Sequence, residues 1–296
     1  MKVLFCYLFA MQASMLTTVV MPLALGIIML GLGLSLSLED FKRVTKYPKA
    51  MSIALICQMA LLPMVCFFLA KAFELPPELA VGMMLLAASP GGATANLYSH
   101  LSNGDVALNI TLTAVNSLLT LFTLPLIVNL SLEYFMDSGE YLPMQFKKVM
   151  EVFAIVLVPV LIGMAIKSRA PGFAARMNKP VKILSALFLA LIIIAITINE
   201  RQAIGSYFAQ LGVPVLLFNL LSMAIGYFLP QFFRVEKKQA IAIGMEIGLH
   251  NGTLAIYIAL NVIHNSAMAM PAGAYSLIMF FTAALFGFLV NVRRAG

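Results

Sequence analysis

Residues 83–96 read Met83-Met84-Leu85-Leu86-Ala87-Ala88-Ser89-Pro90-Gly91-Gly92-Ala93-Thr94-Ala95-Asn96, in the middle of an apolar run. Pro90 removes a backbone donor, and Gly91 and Gly92 escape helical φ/ψ at little cost. The spacing predicts a spanning helix that opens at 90–92. The half that follows starts with free N–H groups and a positive dipole end, a setting for an anion.

A second run, Gly244-Met245-Glu246-Ile247-Gly248-Leu249-His250-Asn251-Gly252-Thr253, predicts another break near 248–252, because Gly and Asn weaken a helix. Its glycines at four-residue spacing also suit a close helix–helix contact. Of the twelve Asp and Glu, eleven fall in loops or at helix ends, and Glu246 does not. A carboxylate inside a span costs about 2.5 kcal/mol or more, so Glu246 reads as an ion or proton site. The plainer reading is a carboxylate near a span end that snorkels to water.

Asn109, Thr113, Asn116 and Thr120 fall on one helical face. That stripe either bonds a neighbouring helix or offers oxygen ligands to a hard cation. Gln58 is the lone amide of another apolar run and is a candidate to join it.

Composition extends this reading to the whole chain. Hydrophobic residues make up 62% and charged residues 10%, with mean hydropathy +0.98. An ordinary soluble domain is about 25% charged, so a bilayer must take the place of the missing interior. Nine stretches reach the length of about 20 residues that a span needs: 12–37, 49–72, 79–101, 106–131, 148–166, 181–199, 211–233, 238–262 and 270–292. The apolar run beginning after Lys2 is too long for a signal h-region and reads as the first span with a short leader. With nine spans, 14 Lys and Arg fall on one side and 5 on the other. Positive charge favours the cytoplasm, so the amino terminus is expected outside and the carboxyl terminus inside a bacterial inner membrane. The net charge of +7 is explained by those loops and does not call for nucleic acid. Cys6, Cys57 and Cys66 form no disulfide or zinc pattern.

The stretches 49–131 and 211–292 each hold three spans with the middle one interrupted. Two trios of opposite orientation with matching breaks are the mark of inverted repeats, and the breaks are expected to cross near the midplane.

These segments resemble the bile acid:sodium symporter family over nearly the whole chain. The resemblance rests on Gly26-Ile27-Ile28-Met29-Leu30-Gly31-Leu32-Gly33-Leu34, Pro90-Gly91-Gly92 with Asn96, Asp105-Val106-Ala107-Leu108, and Glu246-Ile247-Gly248-Leu249-His250-Asn251. It implies an all-α integral membrane fold, one transporter domain over 1–296. Panel helices would lie within 12–37 and 148–199, and core helices within 49–131 and 211–292. Bacterial members typically have ten spans, so this chain is expected to lack the first. It also implies two sodium sites: Asn96, Asn109, Thr113 and Glu246 at the first, and Gln58, Glu246, His250 and carbonyls near Ile247 and Leu249 at the second. Two departures stand out: Ala95 replaces a common Ser or Thr, and His250 a usual Gln. An imidazole nitrogen is a poorer sodium ligand than an amide oxygen, so the second site is expected to be weakened, or its coupling partly taken over by protons. His250 also falls four residues after Glu246 and would pair with it if the helix continued.

The expected function is sodium-coupled import of a small organic anion by alternating access. The anion would be bile-acid-like or a small carboxylate such as pantoate, with Thr94, Asn96 and Asn251 facing it. The partners are that anion, sodium ions and the lipid bilayer, with no obligate protein partner. The rivals are a sodium-independent or proton-coupled carrier, a channel or passive exporter, and an intramembrane enzyme. For the last, neither paired span aspartates nor H-E-x-x-H is present.

Overall fold

The computed structural model describes residues 20–136, 146–199 and 204–292, and among these it is helical throughout apart from turns and one isolated bridge. The first eight residues of the 12–37 stretch, the expected leader, Cys6, Arg201, Arg293 and Arg294 lie outside the described residues. In chain order the helices are α1 (Met21–Ser35), α2 (Leu38–Lys42), α3 (Pro48–Ala72), α4 (Pro77–Ala88), α5 (Ala93–Leu101) and α6 (Val106–Phe135). They continue as α7 (Phe146–Arg169), α8 (Pro171–Asn199), α9 (Ile204–Phe232), α10 (Lys237–Gly248), α11 (Gly252–Tyr257) and α12 (Met270–Val292). Six of them are long and apolar enough to cross a membrane, or seven if α1 and the segment Leu38–Lys46, bent by 70°, count as one span. The stretches 79–101 and 238–262 are each two short helices, α4–α5 and α10–α11, as the Pro-Gly-Gly and Gly-rich runs require.

Several boundaries differ from the sequence reading, among them the start of the 211–233 stretch, which lies seven residues earlier at Ile204. The stretch 181–199 begins ten residues earlier, because Pro171 suits the first turn of a helix and leaves Ala170 alone as the turn after α7. The basic residues Arg176 and Lys179 therefore ride on a helix end rather than a loop. After α1, the segment taken as loop forms α2, since the Ser37 N–H and hydroxyl both donate to Asp40 Oδ2 at 2.7 Å. Asp40 also pairs with Arg43 at 2.6 Å.

Helices α1, α7 and α8 pack on one another. Glycine makes this possible: a Cβ on Gly33 would strike the Val160 backbone, and one on Gly163 would strike Leu30 O. A second group holds α3, α4, α5, α6, α9, α10 and α12, with α10 touching α5, α6 and α9. The loops at one end tie together: Asp105 N–H donates to Lys238 O at 2.9 Å, and Asn103 Nδ2 to Asn291 Oδ1 at 3.1 Å. Around the outside, large side chains such as Phe232 (80% exposed) and Phe281 (78%) face outward. A belt of that kind needs lipid against it.

Candidate functional site

The two breaks lie side by side inside the bundle. Gly92 N–H donates to Leu249 O at 3.2 Å and Asn251 N–H to Pro90 O at 2.8 Å, so Gly91 and His250 form a one-rung antiparallel bridge. Each opened helix thus satisfies the other's freed backbone groups, which apolar surroundings demand.

Glu246, fully buried one turn before the second break, sits behind this bridge. Thr113 Oγ1 donates to its Oε2 at 2.7 Å and Asn116 Nδ2 to its Oε1 at 3.3 Å. Asn109 reaches the same helix through Nδ2 to Ala242 O at 2.8 Å. The α6 stripe therefore turns inward onto α10. A side chain on Gly91 would run into the Glu246 carboxylate, so glycine is required there for a second reason beyond the break. Among the described residues no basic side chain pairs with Glu246, and its two side-chain donors are neutral.

The side-chain oxygens of Asn109 and Asn116 on the facing stripe, and that of Asn96 on α5, are covered and have no hydrogen-bond partner. Buried oxygens are normally paired, so unpartnered ones beside a carboxylate fit a bound cation. Among the described residues no cluster of three His, Cys, Asp or Glu occurs. The donors are amide, hydroxyl and carboxylate oxygens, a hard-cation set.

Gln58 sits in a π-helical turn of α3 (Cys57–Leu61) and donates through Nε2 to Ser89 O at 3.0 Å, with its Oε1 unpartnered. Such turns free backbone for functional sites. His250 does not pair with Glu246, because α10 ends at Gly248. Its ring stacks on Tyr275 (centroids 5.2 Å) and meets the edge of Phe218, and both its nitrogens are covered and unpartnered. Tyr275 Oη and Asn219 Nδ2 both donate to Gly248 O, at 2.9 and 3.0 Å. The sequence reading missed this pair, although Asn219 stands as an isolated amide in an apolar run. Asn116, on the stripe but outside the ligand set that the resemblance implies, is the second donor to Glu246.

On the other side of the bridge a cleft of about 350 Å³ runs between the α1–α7–α8 group and the rest. Thr94 and Asn251 line it, with Thr253, Ser276 and Ser185, against an apolar wall that includes Leu32, Leu189 and Phe280. Among the described residues no Lys, Arg, Asp or Glu lines it. Asn96, Gln58, Asn109, Thr113 and Glu246 do not reach it, whereas His250 contributes to its wall. Polar groups are thus sorted by the bridge into a carboxylate cluster behind and neutral donors in front.

Apolar helices with two interrupted ones meeting at a cleft define a multi-pass membrane transporter. The chain belongs to the sodium bile acid symporter family, whose profile matches residues 22–207. It is 28% identical over 255 residues to YocS of Bacillus subtilis, described as an uncharacterized sodium-dependent transporter, covering 86% of this chain and 77% of that one. It is 25% identical to a rice chloroplastic protein described as a probable sodium/metabolite cotransporter, BASS2, covering 88% of this chain and 61% of the rice one. The mouse P3 protein is 29% identical over 76% of this chain and 47% of its own. The family and the first two relatives are described as transporters.

Proposed function

We propose that this protein is a sodium-coupled symporter that imports an organic monoanion by alternating access. The observation that carries the reading is Glu246, buried behind the paired breaks with unpartnered oxygens about it. Sodium would be held there by Glu246, Thr113, Asn109, Asn96 and Asn116. Bound sodium neutralises Glu246 and stiffens the α5–α6–α10 contact. That holds Thr94, Asn251 and the first-turn N–H groups of α5 ready for an anion in the cleft, so each solute favours the other's binding. The cleft offers neutral donors at one end and apolar walls elsewhere. A monoanion with an apolar body suits it, whereas a second uncompensated charge would be costly to bury.

A single sodium site is favoured over two. Gly248 O beside the second break already has two donors, and His250 offers nitrogen where the resemblance implies an amide.

On this reading the α1–α7–α8 group is the panel, the remaining helices are the core, and the described residues make nine spans when α4–α5 and α10–α11 each count as one. Inverted repeats are supported by a 160-residue offset. It carries α4 onto α10, each 12 residues long, and Glu74 (φ 49°) onto Arg234 (φ 59°), both left-handed turn residues. With the basic loops cytoplasmic, the carboxyl terminus is inside a bacterial inner membrane. Val181 and Ser185 of the cleft are near the basic end of α8, so the cleft faces the cytoplasm.

The test is uptake into vesicles under an imposed sodium gradient, screening sterol acids and small carboxylates. Accumulation that collapses when choline replaces sodium supports symport. Accumulation indifferent to sodium for every transported anion refutes it.

A further inference from the structure

Two of the spaces on the seam between the α1–α7–α8 group and the other helices reach the paired breaks. One is the cleft of about 350 Å³. The other is a void of about 10 Å³ between α6 and α7, lined by Ser117, Thr120, Leu121, Val152 and Val156. The void touches Pro90 and the cleft touches Gly92, so both reach the paired breaks. Met29 and Asn251 line both. The wall between the spaces is therefore one residue from each group.

The two residues are not equally free. Asn251 is tied twice, through its N–H to Pro90 O at 2.8 Å and through Oδ1 from Leu254 N–H at 3.1 Å. Met29 is an unbranched thioether with three rotatable bonds and is 2% exposed. Its helix is clamped from behind by the Gly33–Val160 and Gly163–Leu30 contacts. The side chain can swing while the helix under it stays in place. Beyond it, the Thr120 hydroxyl is covered and unpartnered in the void's wall. A covered hydroxyl left without a partner in a mostly apolar wall fits a path that is wetted when it opens.

We propose that Met29 is the gate of the permeation path: its side chain keeps the cleft and the void apart, and its withdrawal joins them. The direction of that path rests on the symport reading above; the barrier itself does not.

The test uses the full chain, purified and reconstituted in vesicles without organic anion, with entry of radioactive sodium as the readout. Met29→Ala is expected to leak about tenfold faster than wild type or more, as a barrier lowered by about 1.4 kcal/mol gives. Met29→Leu conserves volume and is expected to stay tight. A sodium-induced rise in melting temperature reports that the variant keeps its fold and ion site. If Met29→Ala keeps that rise and leaks no faster than wild type, the gate is wrong and symport stands. If wild type melts identically with and without sodium, the symport reading has failed, and a thiol experiment decides the gate alone. With the native cysteines replaced by Ala, an impermeant maleimide applied from the side opposite the cleft must reach Ser185→Cys when residue 29 is Ala and not when it is Met. Equal labelling of both overturns the gate.

Discussion

Replacing Glu246 by Gln keeps the shape of the site and removes its charge. A cation about 4 Å from a carboxylate gains about 4 kcal/mol at an effective dielectric of about 20. Losing that interaction weakens binding by roughly a thousandfold, at about 1.4 kcal/mol per decade. The opposing term acts on the empty protein. Glu246 is fully buried with two neutral donors, and a charge in a span costs about 2.5 kcal/mol or more. Glu246→Gln should therefore melt no lower than wild type in choline chloride, and higher if the carboxylate is ionised there. The two proteins then diverge as sodium replaces choline at constant ionic strength. Wild type should rise by about 2.7 kcal/mol of stability at a hundred times its Kd, as any ligand selective for the folded state does. The Gln variant should stay flat over the same range. Detergent-purified protein followed by intrinsic fluorescence or light scattering reads both. A Gln variant that rises with the same half-saturation as wild type would mean that the cation is held elsewhere, and the argument from unpartnered oxygens would fail with it.

Thr113→Val removes the 2.7 Å donor to Glu246 and should weaken sodium binding by about tenfold to a hundredfold, the worth of one hydrogen bond to a charged group, read in the same titration. Gly91→Ala pushes a methyl into the Glu246 carboxylate. It should lower the melting temperature by the equivalent of about 1–3 kcal/mol, as overpacking does, and abolish the sodium response. Tyr275→Phe keeps the stack on His250 but removes one of two donors to Gly248 O. The loss should be about 0.5–1.5 kcal/mol. Combined with Asn219→Leu it should exceed the sum of the single changes, because the carbonyl is then unsatisfied. Sodium saturation of uptake should give a Hill coefficient of about one, and His250→Gln should raise it if an amide restores a second ligand; a wild-type coefficient near two counts against the single site.

The sequence alone determined the lipid environment, most of the spanning segments, the two interruptions and the one submerged carboxylate. These rest on local chemistry: apolar length, Pro-Gly-Gly, clustered glycines and the cost of charge in hydrocarbon are all properties of a short stretch. It also placed Asn109, Thr113 and Asn116 on one face, because a helix fixes periodicity without any neighbour. What that face meets was decided only by tertiary structure. Glu246 is 130 residues along the chain from Asn116, and packing alone brings them within a hydrogen bond. The same holds for Gly91 against His250, for Asn219 and Tyr275 on Gly248 O, and for the placing of Thr94 and Asn251 on the cleft wall, which Asn96 does not reach. Which breaks share a bridge, and which side of it each side chain faces, depends on how distant helices pack, and that cannot be read from any one segment.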